Sequence, residues 1–236
     1  AFRRRVGRVD ELLAQEIAER RNAEDLAERD DVLSMLVAAR HEDGSPMSEA
    51  EMRDELLTLL VAGHETTATS LSWAMERLVR HPEKLERLRA EALAGEDAYL
   101  TATIQETLRA RPVLPNVAPR SVEKPIEIGG WAYQPGCSLV ANGYLIHHDP
   151  DIYPDPYAFR PERFLDEAPG TYTWIPFGGG RRRCLGASFA MLEMKVVLRA
   201  LLGCCEIRAA GEVVEVAQRR NITVRPAGGA TVTLDE

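Results

Sequence analysis

The 236-residue sequence lacks the cysteine patterns that identify several classes of protein. Its four cysteines are Cys137, Cys184, Cys204 and Cys205. They form no C-x-x-C pair, so neither a zinc site nor a dithiol redox motif is indicated. Their number and spacing also do not resemble a disulfide framework, which favours a reducing, cytoplasmic setting.

Long apolar runs and an excess of basic charge are absent as well. A membrane-spanning helix needs about 18 or more mostly apolar residues in succession, and the most apolar stretch, residues 56–63, is far shorter. No membrane span is therefore predicted in this chain. The formal net charge of −8 gives no basic surface of the kind that general nucleic-acid binding requires, so no nucleic-acid partner is expected.

The start of the chain has neither an initiator methionine nor the apolar segment of a signal peptide, because it reads Ala1-Phe2-Arg3-Arg4-Arg5. We therefore expect the chain to be cut from a longer protein, and the presence of an upstream anchor stays open. Hydrophobic residues make up 45% of the sequence, which is enough for one sizeable core.

What the sequence does contain is mostly helical patterning. Apolar residues recur at helical spacing among many charges over residues 9–40, which indicates two amphipathic helices. Ser48 and Glu51 have the spacing of a capping box, and no proline follows before Pro82, so a long helix is predicted over about residues 48–80. Further helices are predicted after Pro82, over residues 99–110 and over residues 185–202.

Short β-prone segments interrupt this helical pattern. Between residues 117 and 140, Gly129-Gly130 is the predicted turn of a hairpin, and two more β-like pieces lie near residues 206–208 and 222–224. Residues 149–180 are rich in proline, glycine and aromatics, and such long irregular loops are usually functional. The predicted fold class is therefore mainly α with small β-sheets, an α+β arrangement.

The sharpest motif is the string from Phe177 to Gly186, which reads FGGGRRRCLG and delivers Cys184 to the start of a helix. Glycines allow backbone N–H groups to point at the sulfur, and a helix N-terminus and arginines favour a thiolate. The alternatives are a buried inert cysteine or a phosphate-binding glycine loop, and the second would need a lysine followed by serine or threonine. Neither accounts for the whole string, so a thiolate site is predicted.

This string resembles the cysteine loop of the cytochrome P450 family, F-x-x-G-x-R-x-C-x-G, and its fixed positions are Phe177, Gly180, Arg182, Cys184 and Gly186. The resemblance implies that Cys184 is the proximal ligand of the iron of haem b. It also implies that Arg182 pairs with a haem propionate and that Phe177 packs beneath the thiolate. Thiolate ligation directs electron density to the iron and favours O–O cleavage.

A second string, Ala62-Gly63-His64-Glu65-Thr66, resembles the oxygen-activation motif of the same family. The small Ala62 and Gly63 would let haem and dioxygen lie against the helix. Thr66 would hydrogen-bond the oxygen, and Glu65 would relay protons to it. The alternative for Thr66 is a hydrogen bond to its own helix backbone, and His64 is expected to be an ordinary core or surface residue.

Other motifs of the family imply roles in structure and in cofactor binding. Glu106 and Arg109 form an E-x-x-R pair on one helical face, and Arg163 of a P-E-R-F segment would join them to lock the loop that leads to the cysteine. These three residues are assigned a structural role. Arg120 resembles the family's strand arginine that reaches a haem propionate, and residues 113–117 before it would line the substrate pocket.

The remaining histidines and cysteines are expected to have no catalytic part. His147 and His148 could suggest metal ligands, but neighbours in sequence rarely converge on one ion, so surface capping is predicted instead. Cys204 and Cys205 are expected to pack as small apolar side chains, and Cys137 is expected in a turn.

In family order these motifs span residues 62–186, yet a P450 has a large portion before the oxygen-activation helix. We therefore expect residues 1–236 to be the carboxy-terminal part of a single cytochrome P450 domain of a soluble bacterial type, with its cysteine loop at residues 177–186. The fold would be incomplete at its amino-terminal side.

The implied function is a haem-thiolate monooxygenase that inserts one atom of dioxygen into an apolar organic substrate. No G-x-G-x-x-G fingerprint is present, so electrons would come from NAD(P)H through a ferredoxin and its reductase, and Arg181 and Arg183 could attract the donor. Two alternatives stay open. One is a peroxide-using or isomerising relative, and the other is a catalytically silent fragment or haem-binding module.

Overall fold

The computed structural model describes the backbone of residues 2–235 and the side chains of residues 4–235. The helices are α1 (Phe2–Arg21), α2 (Val32–Ala38), α3 (Glu49–Val79), α4 (Pro82–Leu93), α5 (Ala98–Ala110), α6 (Gly143–His147), α7 (Arg163–Asp166) and α8 (Ala187–Cys204). The strands are β1 (Arg120–Ser121), β2 (Ile126–Ile128), β3 (Trp131–Tyr133), β4 (Ser138–Leu139), β5 (Glu206–Ala209), β6 (Ala217–Arg220), β7 (Thr223–Pro226) and β8 (Val232–Asp235). The expectation of a mainly helical fold with small β-sheets is confirmed.

The chain divides into two compact units, residues 1–64 and residues 65–236. The first unit contains α1, α2 and the beginning of α3. There the backbone N–H of Ser48 donates to the Glu51 carboxylate at 2.7 Å, and the N–H of Glu51 donates to the Ser48 hydroxyl at 3.2 Å. This reciprocal pair satisfies two backbone groups that a helix start leaves free, which is why α3 begins at Glu49.

The second unit has its core between α4, α5 and α8. Leu88 of α4, Ile104 of α5 and Leu198 of α8 are fully buried in one apolar cluster. Pro82 is the first residue of α4, a position where the missing N–H costs nothing and the fixed φ suits a helix. The indole N–H of Trp73 donates to the carbonyl of Val224 at 3.1 Å and so links the end of α3 to β7.

Over residues 65–235, the structure has four two-stranded antiparallel sheets, with pairings β1–β4, β2–β3, β5–β8 and β6–β7. The predicted hairpin is present as β2 and β3, and both turn glycines have positive φ, +59° at Gly129 and +79° at Gly130. Glycine adopts these positive φ values without the strain that a β-carbon causes in most residues. The carboxy-terminal region has four strands rather than the two predicted. The polar sequence of β6, AQRR, gives no strand signal, whereas the alternation of apolar and polar residues in β8, VTLD, was an available signal.

Two expectations about side-chain exposure are wrong. His147 and His148 are not surface caps, since both are buried, His147 completely. His147 contacts Arg109 and Ile175, which are 38 and 28 residues away, and local sequence does not reveal such contacts. Cys204, the last residue of α8, is exposed rather than packed as an apolar side chain, and its sulfur lies 3.1 Å from that of Cys205.

Within residues 2–235, no helix is both long enough and apolar enough to cross a membrane.

Candidate functional site

The cysteine loop, which precedes α8, is closed by backbone hydrogen bonds between its own residues. The backbone N–H of Cys184 donates to the carbonyl of Phe177 at 2.9 Å, and that of Arg183 donates to Gly180 at 3.2 Å. Gly178 and Gly180 have φ of +68° and +63°, a region that other residues enter only with strain. The turn that these glycines allow leaves Cys184 exposed with a free thiol.

The surroundings of Cys184 are cationic. Arg181, Arg182 and Arg183 are exposed, and none of the three has a salt bridge to a described carboxylate. The first residue of α8, Ala187, follows three positions later, so the positive end of that helix dipole lies close in sequence to the cysteine. Positive charge of this kind attracts anionic groups, such as a thiolate or the carboxylates of a bound cofactor.

Phe177 anchors the beginning of the loop in the core. Its half-buried side chain packs against the apolar cluster of the second unit, and its ring meets Trp174 edge-on with centroids 5.9 Å apart. The indole N–H of Trp174 donates to the carbonyl of Gln105 in α5 at 3.1 Å. The loop is therefore tied to α5 through these two aromatic residues.

The E-x-x-R pair lies in the same region and is completely buried. Arg109 donates to both carboxylate oxygens of Glu106, at 2.6 Å and 2.9 Å, and neither side chain is exposed. Arg163 approaches the same carboxylate at 3.2 Å, and the backbone N–H of Arg160 donates to it at 2.8 Å. The structure thus brings together Glu106, Arg109 and Arg163, which the sequence separates by up to 57 residues.

The Glu106–Arg109 pair is buried, whereas an E-x-x-R pair on a solvent-exposed helix would contribute little to stability. Removing one partner leaves an uncompensated buried charge, which is strongly destabilising. Burial lowers the pKa of Arg163, and the neighbouring Glu106 carboxylate opposes that shift.

Val117, the last residue of the segment 113–117, lies beside the cysteine loop. The Val117 side chain is 3.5 Å from the position that a Cβ on Gly178 would take. Arg120, in β1, is exposed, and its guanidinium donates to the carbonyls of Ala118 and Pro119 at 2.7 Å and 3.3 Å. Among the residues that the structure describes, it has no carboxylate partner.

The oxygen-activation motif lies within one uninterrupted helix, α3, and the boundary between the two units falls inside it. Ala62 and Gly63 belong to the first unit, while Glu65 and Thr66 belong to the second. The half-exposed Glu65 accepts a hydrogen bond from the Thr223 hydroxyl at 3.3 Å and lies 3.8 Å from the Arg220 guanidinium. Neither contact was predicted.

Three further residues at the site were missed by sequence reasoning. His147 and Tyr153 hydrogen-bond Ile175 and Thr173, shortly before the cysteine loop. Trp174 lies between these two residues and hydrogen-bonds α5. Local sequence gives little sign of this role for His147 and Tyr153. For Trp174, a large aromatic three residues before Phe177 was an available signal, because such a side chain is usually anchored in a core.

The residues present fit a haem. The exposed thiol of Cys184 could bind the iron, and Arg120 and Arg182, which have no carboxylate partner among the described residues, could pair with propionates. In the described part of the chain there is no group of three or more His, Cys, Asp or Glu side chains that could hold a bare metal ion. One protein ligand is sufficient when a porphyrin supplies the other donors to the iron.

Comparison with known proteins identifies the family of this chain. A family model described as Cytochrome P450 matches residues 1–233. Cytochrome P450 137 of Mycobacterium tuberculosis is 47% identical over 224 residues, which cover 95% of this chain and 47% of that protein. Cytochrome P450 135B1 of the same organism is 46% identical over 237 residues, covering 98% of this chain and 50% of that protein.

A solved structure gives the same result at the level of the fold. Retinoic acid-bound cyanobacterial CYP120A1 matches with a TM-score of 0.87 and 30% sequence identity, covering 98% of this chain and 56% of that one. The fold is therefore that of a cytochrome P450, in part. The chain spans about half the length of the curated relatives it matches.

Proposed function

The chain belongs to the cytochrome P450 family, and we propose that it carries the haem-thiolate centre of a monooxygenase with Cys184 as the iron ligand. The observation that carries this proposal is the cysteine loop. Its backbone closes between Phe177 and Cys184, its thiol is exposed and free, and its arginines have no described carboxylate partners.

When bound, haem would supply an iron that takes up and activates dioxygen. The role of this chain would be to hold the haem. Cys184 would bind the iron as a thiolate, and Phe177 would pack beneath the sulfur. Arg120 and Arg182 would pair with the propionates, because both present exposed guanidinium groups and arginine binds carboxylates with two parallel hydrogen bonds.

Proton delivery would fall to Glu65 and Thr66. The Glu65 carboxylate is half exposed, so it can exchange protons with solvent, and Thr223 and Arg220 hold its oxygen from one side. Thr66 is the next residue along α3 and has a hydroxyl that both accepts and donates. In the sequence, the small Ala62 comes four residues before Thr66, about one helical turn.

The substrate is proposed to be an apolar small molecule, with residues 113–117 lining part of its pocket. Retinoic acid, which is bound to CYP120A1 in the solved structure of that protein, is one member of this class. Electrons are proposed to come from NAD(P)H through a ferredoxin and its reductase, with Arg181 and Arg183 as a basic contact. The proposed location is the cytoplasm.

A second candidate is a haem-binding module or silent fragment without monooxygenase activity. It is favoured by the apolar side chains of Leu185, Phe189 and Val196, which are exposed in the described part of the chain. A peroxide-using or isomerising relative is less favoured, because Glu65 and Thr66 are both present.

The test is the carbon monoxide difference spectrum of the reduced, haem-loaded chain. We expect a strongly red-shifted Soret band, typical of thiolate ligation, in the unaltered chain and in Cys204→Ala, and its loss in Cys184→Ala. Cys204 is a matched control because it is also exposed and lies at the other end of α8. An unchanged spectrum in Cys184→Ala would exclude that ligand. A chain with the thiolate band but no substrate turnover with redox partners would favour the haem-binding module.

A further inference from the structure

Three residues shortly before the cysteine loop, residues 173–175, make hydrogen bonds to three different parts of the chain. The hydroxyl of Tyr153 donates to the carbonyl of Thr173 at 3.1 Å. The indole of Trp174 donates to Gln105 of α5, and the backbone N–H of Ile175 donates to Nε2 of His147 at 2.9 Å. This segment, residues 173–175, ends two residues before Phe177, where the loop begins.

His147 differs from the other two because it joins the segment to the buried charges. Its carbonyl accepts a hydrogen bond from Nη1 of Arg109 at 2.6 Å, and Arg109 is paired with Glu106. Its ring holds Ile175. One residue therefore connects the E-x-x-R pair, through its main chain, with the approach to Cys184, through its side chain.

The geometry also determines where the imidazole proton lies. Because the N–H of Ile175 points at Nε2, that nitrogen must present a lone pair, and the proton of the neutral ring is on Nδ1. Nδ1 is buried and has no hydrogen-bond partner among the described atoms. Burial, followed by the charges of Arg109 and His148, lowers the pKa of His147 to about 3.

The surroundings leave the ring little freedom. His147 is fully buried, and α6 packs closely at this point, since a Cβ on Gly143 would lie 3.7 Å from the Ile175 side chain and 3.8 Å from the His147 ring. A buried, neutral ring that accepts one backbone N–H is suited to fix the position of that backbone rather than to exchange protons with solvent.

We propose that His147 is a positioning residue of the haem site, which fixes the cysteine loop by accepting the backbone N–H of Ile175. The inference rests on the proposed function, in which Cys184 of that loop binds the iron. It adds a residue from α6 to the elements that orient the ligand.

The test compares three variants. His147→Leu removes the acceptor but keeps an apolar side chain of moderate size. His147→Gln keeps an acceptor, because Oε1 of glutamine is the same number of bonds from Cβ as Nε2 of histidine. His148→Leu is the matched control, since His148 is also buried, stacks on Tyr144 and hydrogen-bonds the Tyr144 carbonyl at 2.9 Å rather than the loop.

The first readout is amide hydrogen exchange in the chain without haem, at the N–H groups of Ile175 and Cys184. In His147→Leu we expect exchange at Ile175 to be faster by about tenfold, the effect of losing one buried hydrogen bond, with a smaller increase at Cys184. His147→Gln and His148→Leu should both keep the unaltered rates. Equal acceleration in His147→Leu and His148→Leu, or no change at Cys184, would overturn the proposal.

The second readout is the nitrogen-15 spectrum of the His147 ring, which should show a protonated Nδ1 and a bare Nε2. A proton on Nε2 would also overturn the proposal. The third is the carbon monoxide spectrum, in which His147→Leu should lower the thiolate-type fraction and His147→Gln should restore it. A thiolate band of equal size in all three variants would contradict the proposal, whereas a chain that shows the exchange pattern but takes up no haem would contradict the proposed function alone.

Discussion

Glu106 of α5 and Glu65 of α3 both meet arginine, but in opposite surroundings. Glu106 has no exposed surface and is bound by two arginines and a backbone N–H. The Glu65 side chain is 45% exposed and lies 3.8 Å from an Arg220 side chain that is itself 59% exposed. A carboxylate bound from several sides in the core is suited to hold a structure together, while one in contact with solvent is free to exchange protons.

The largest effect that tests this contrast is expected at Glu106. Glu106→Gln keeps the size of the side chain but leaves the charges of Arg109 and Arg163 buried without a carboxylate. We expect the free energy of unfolding to fall by about 3–5 kcal/mol, the cost of breaking a buried ion pair. Chemical denaturation measures the change. The matched variant Glu65→Gln should change stability by less than about 1 kcal/mol, and equal losses in the two would contradict the contrast.

A second prediction concerns the pH dependence of the buried region. Because the pKa of His147 is lowered from 6.5 to about 3 in the folded chain, the unfolded chain binds a proton between these values that the folded chain does not. His147 therefore costs no stability above pH 6.5, and stability is lost as the pH falls toward 3. The slope contributed by this residue is at most about 1.4 kcal/mol per pH unit.

His147→Gln should remove that contribution, so the difference in unfolding free energy between the two chains should change with pH only in this window. Carboxylates titrate in both chains and cancel in the difference. Denaturation midpoints at roughly pH 7.5, 6, 5 and 4, which cross the window, provide the measurement. A difference that is constant over this range would show that His147 is not neutral in the folded chain.

A third prediction distinguishes the two glycines that begin the cysteine loop. Gly178 has φ +68°, and an added Cβ would lie 3.5 Å from Val117, whereas Gly179 has extended backbone and open space at its Cβ position. Gly178→Ala should therefore cost about 1–2 kcal/mol, as left-handed backbone does for alanine. Gly179→Ala should be close to neutral by the same measurement, and a larger loss at Gly179 would contradict the loop geometry.

Local sequence signals, such as capping residues and prolines, predicted most of the fold. The features that they did not predict depend on packing between residues far apart in the sequence. The Ser48 and Glu51 capping box and Pro82 located helix starts, because each acts on backbone groups within one turn. The E-x-x-R spacing placed Glu106 and Arg109 on one face, but only packing against Arg163 and the loop buries them. His147 was predicted at the surface, since its contact with Ile175 lies 28 residues away.

The resemblance to the cytochrome P450 family predicted the whole cysteine loop, residues 177–186, and the structure showed which residues contact it. Motif matching selects positions such as Phe177 and Cys184, whose residue types the family pattern specifies. It does not identify Thr223 or Arg220, which meet Glu65 from strands more than 150 residues later. The β6 strand containing Arg220 was also missed, because its polar sequence, AQRR, is exposed on every residue.

The smallest effect is expected at the exposed acid. Arg220→Gln removes the cation near Glu65, and since both side chains are largely in solvent, the loss of stability should be about 0–1 kcal/mol. That loss should disappear at about 1 M salt, where the Debye length falls to about 3 Å. The cost of Glu106→Gln should persist in the same salt, because water and ions do not reach a buried pair. Denaturation of both variants at low and high salt therefore measures the contrast directly. A salt-sensitive Glu106 or a salt-insensitive Arg220 would mean that the two glutamates do not differ in the way their exposure indicates.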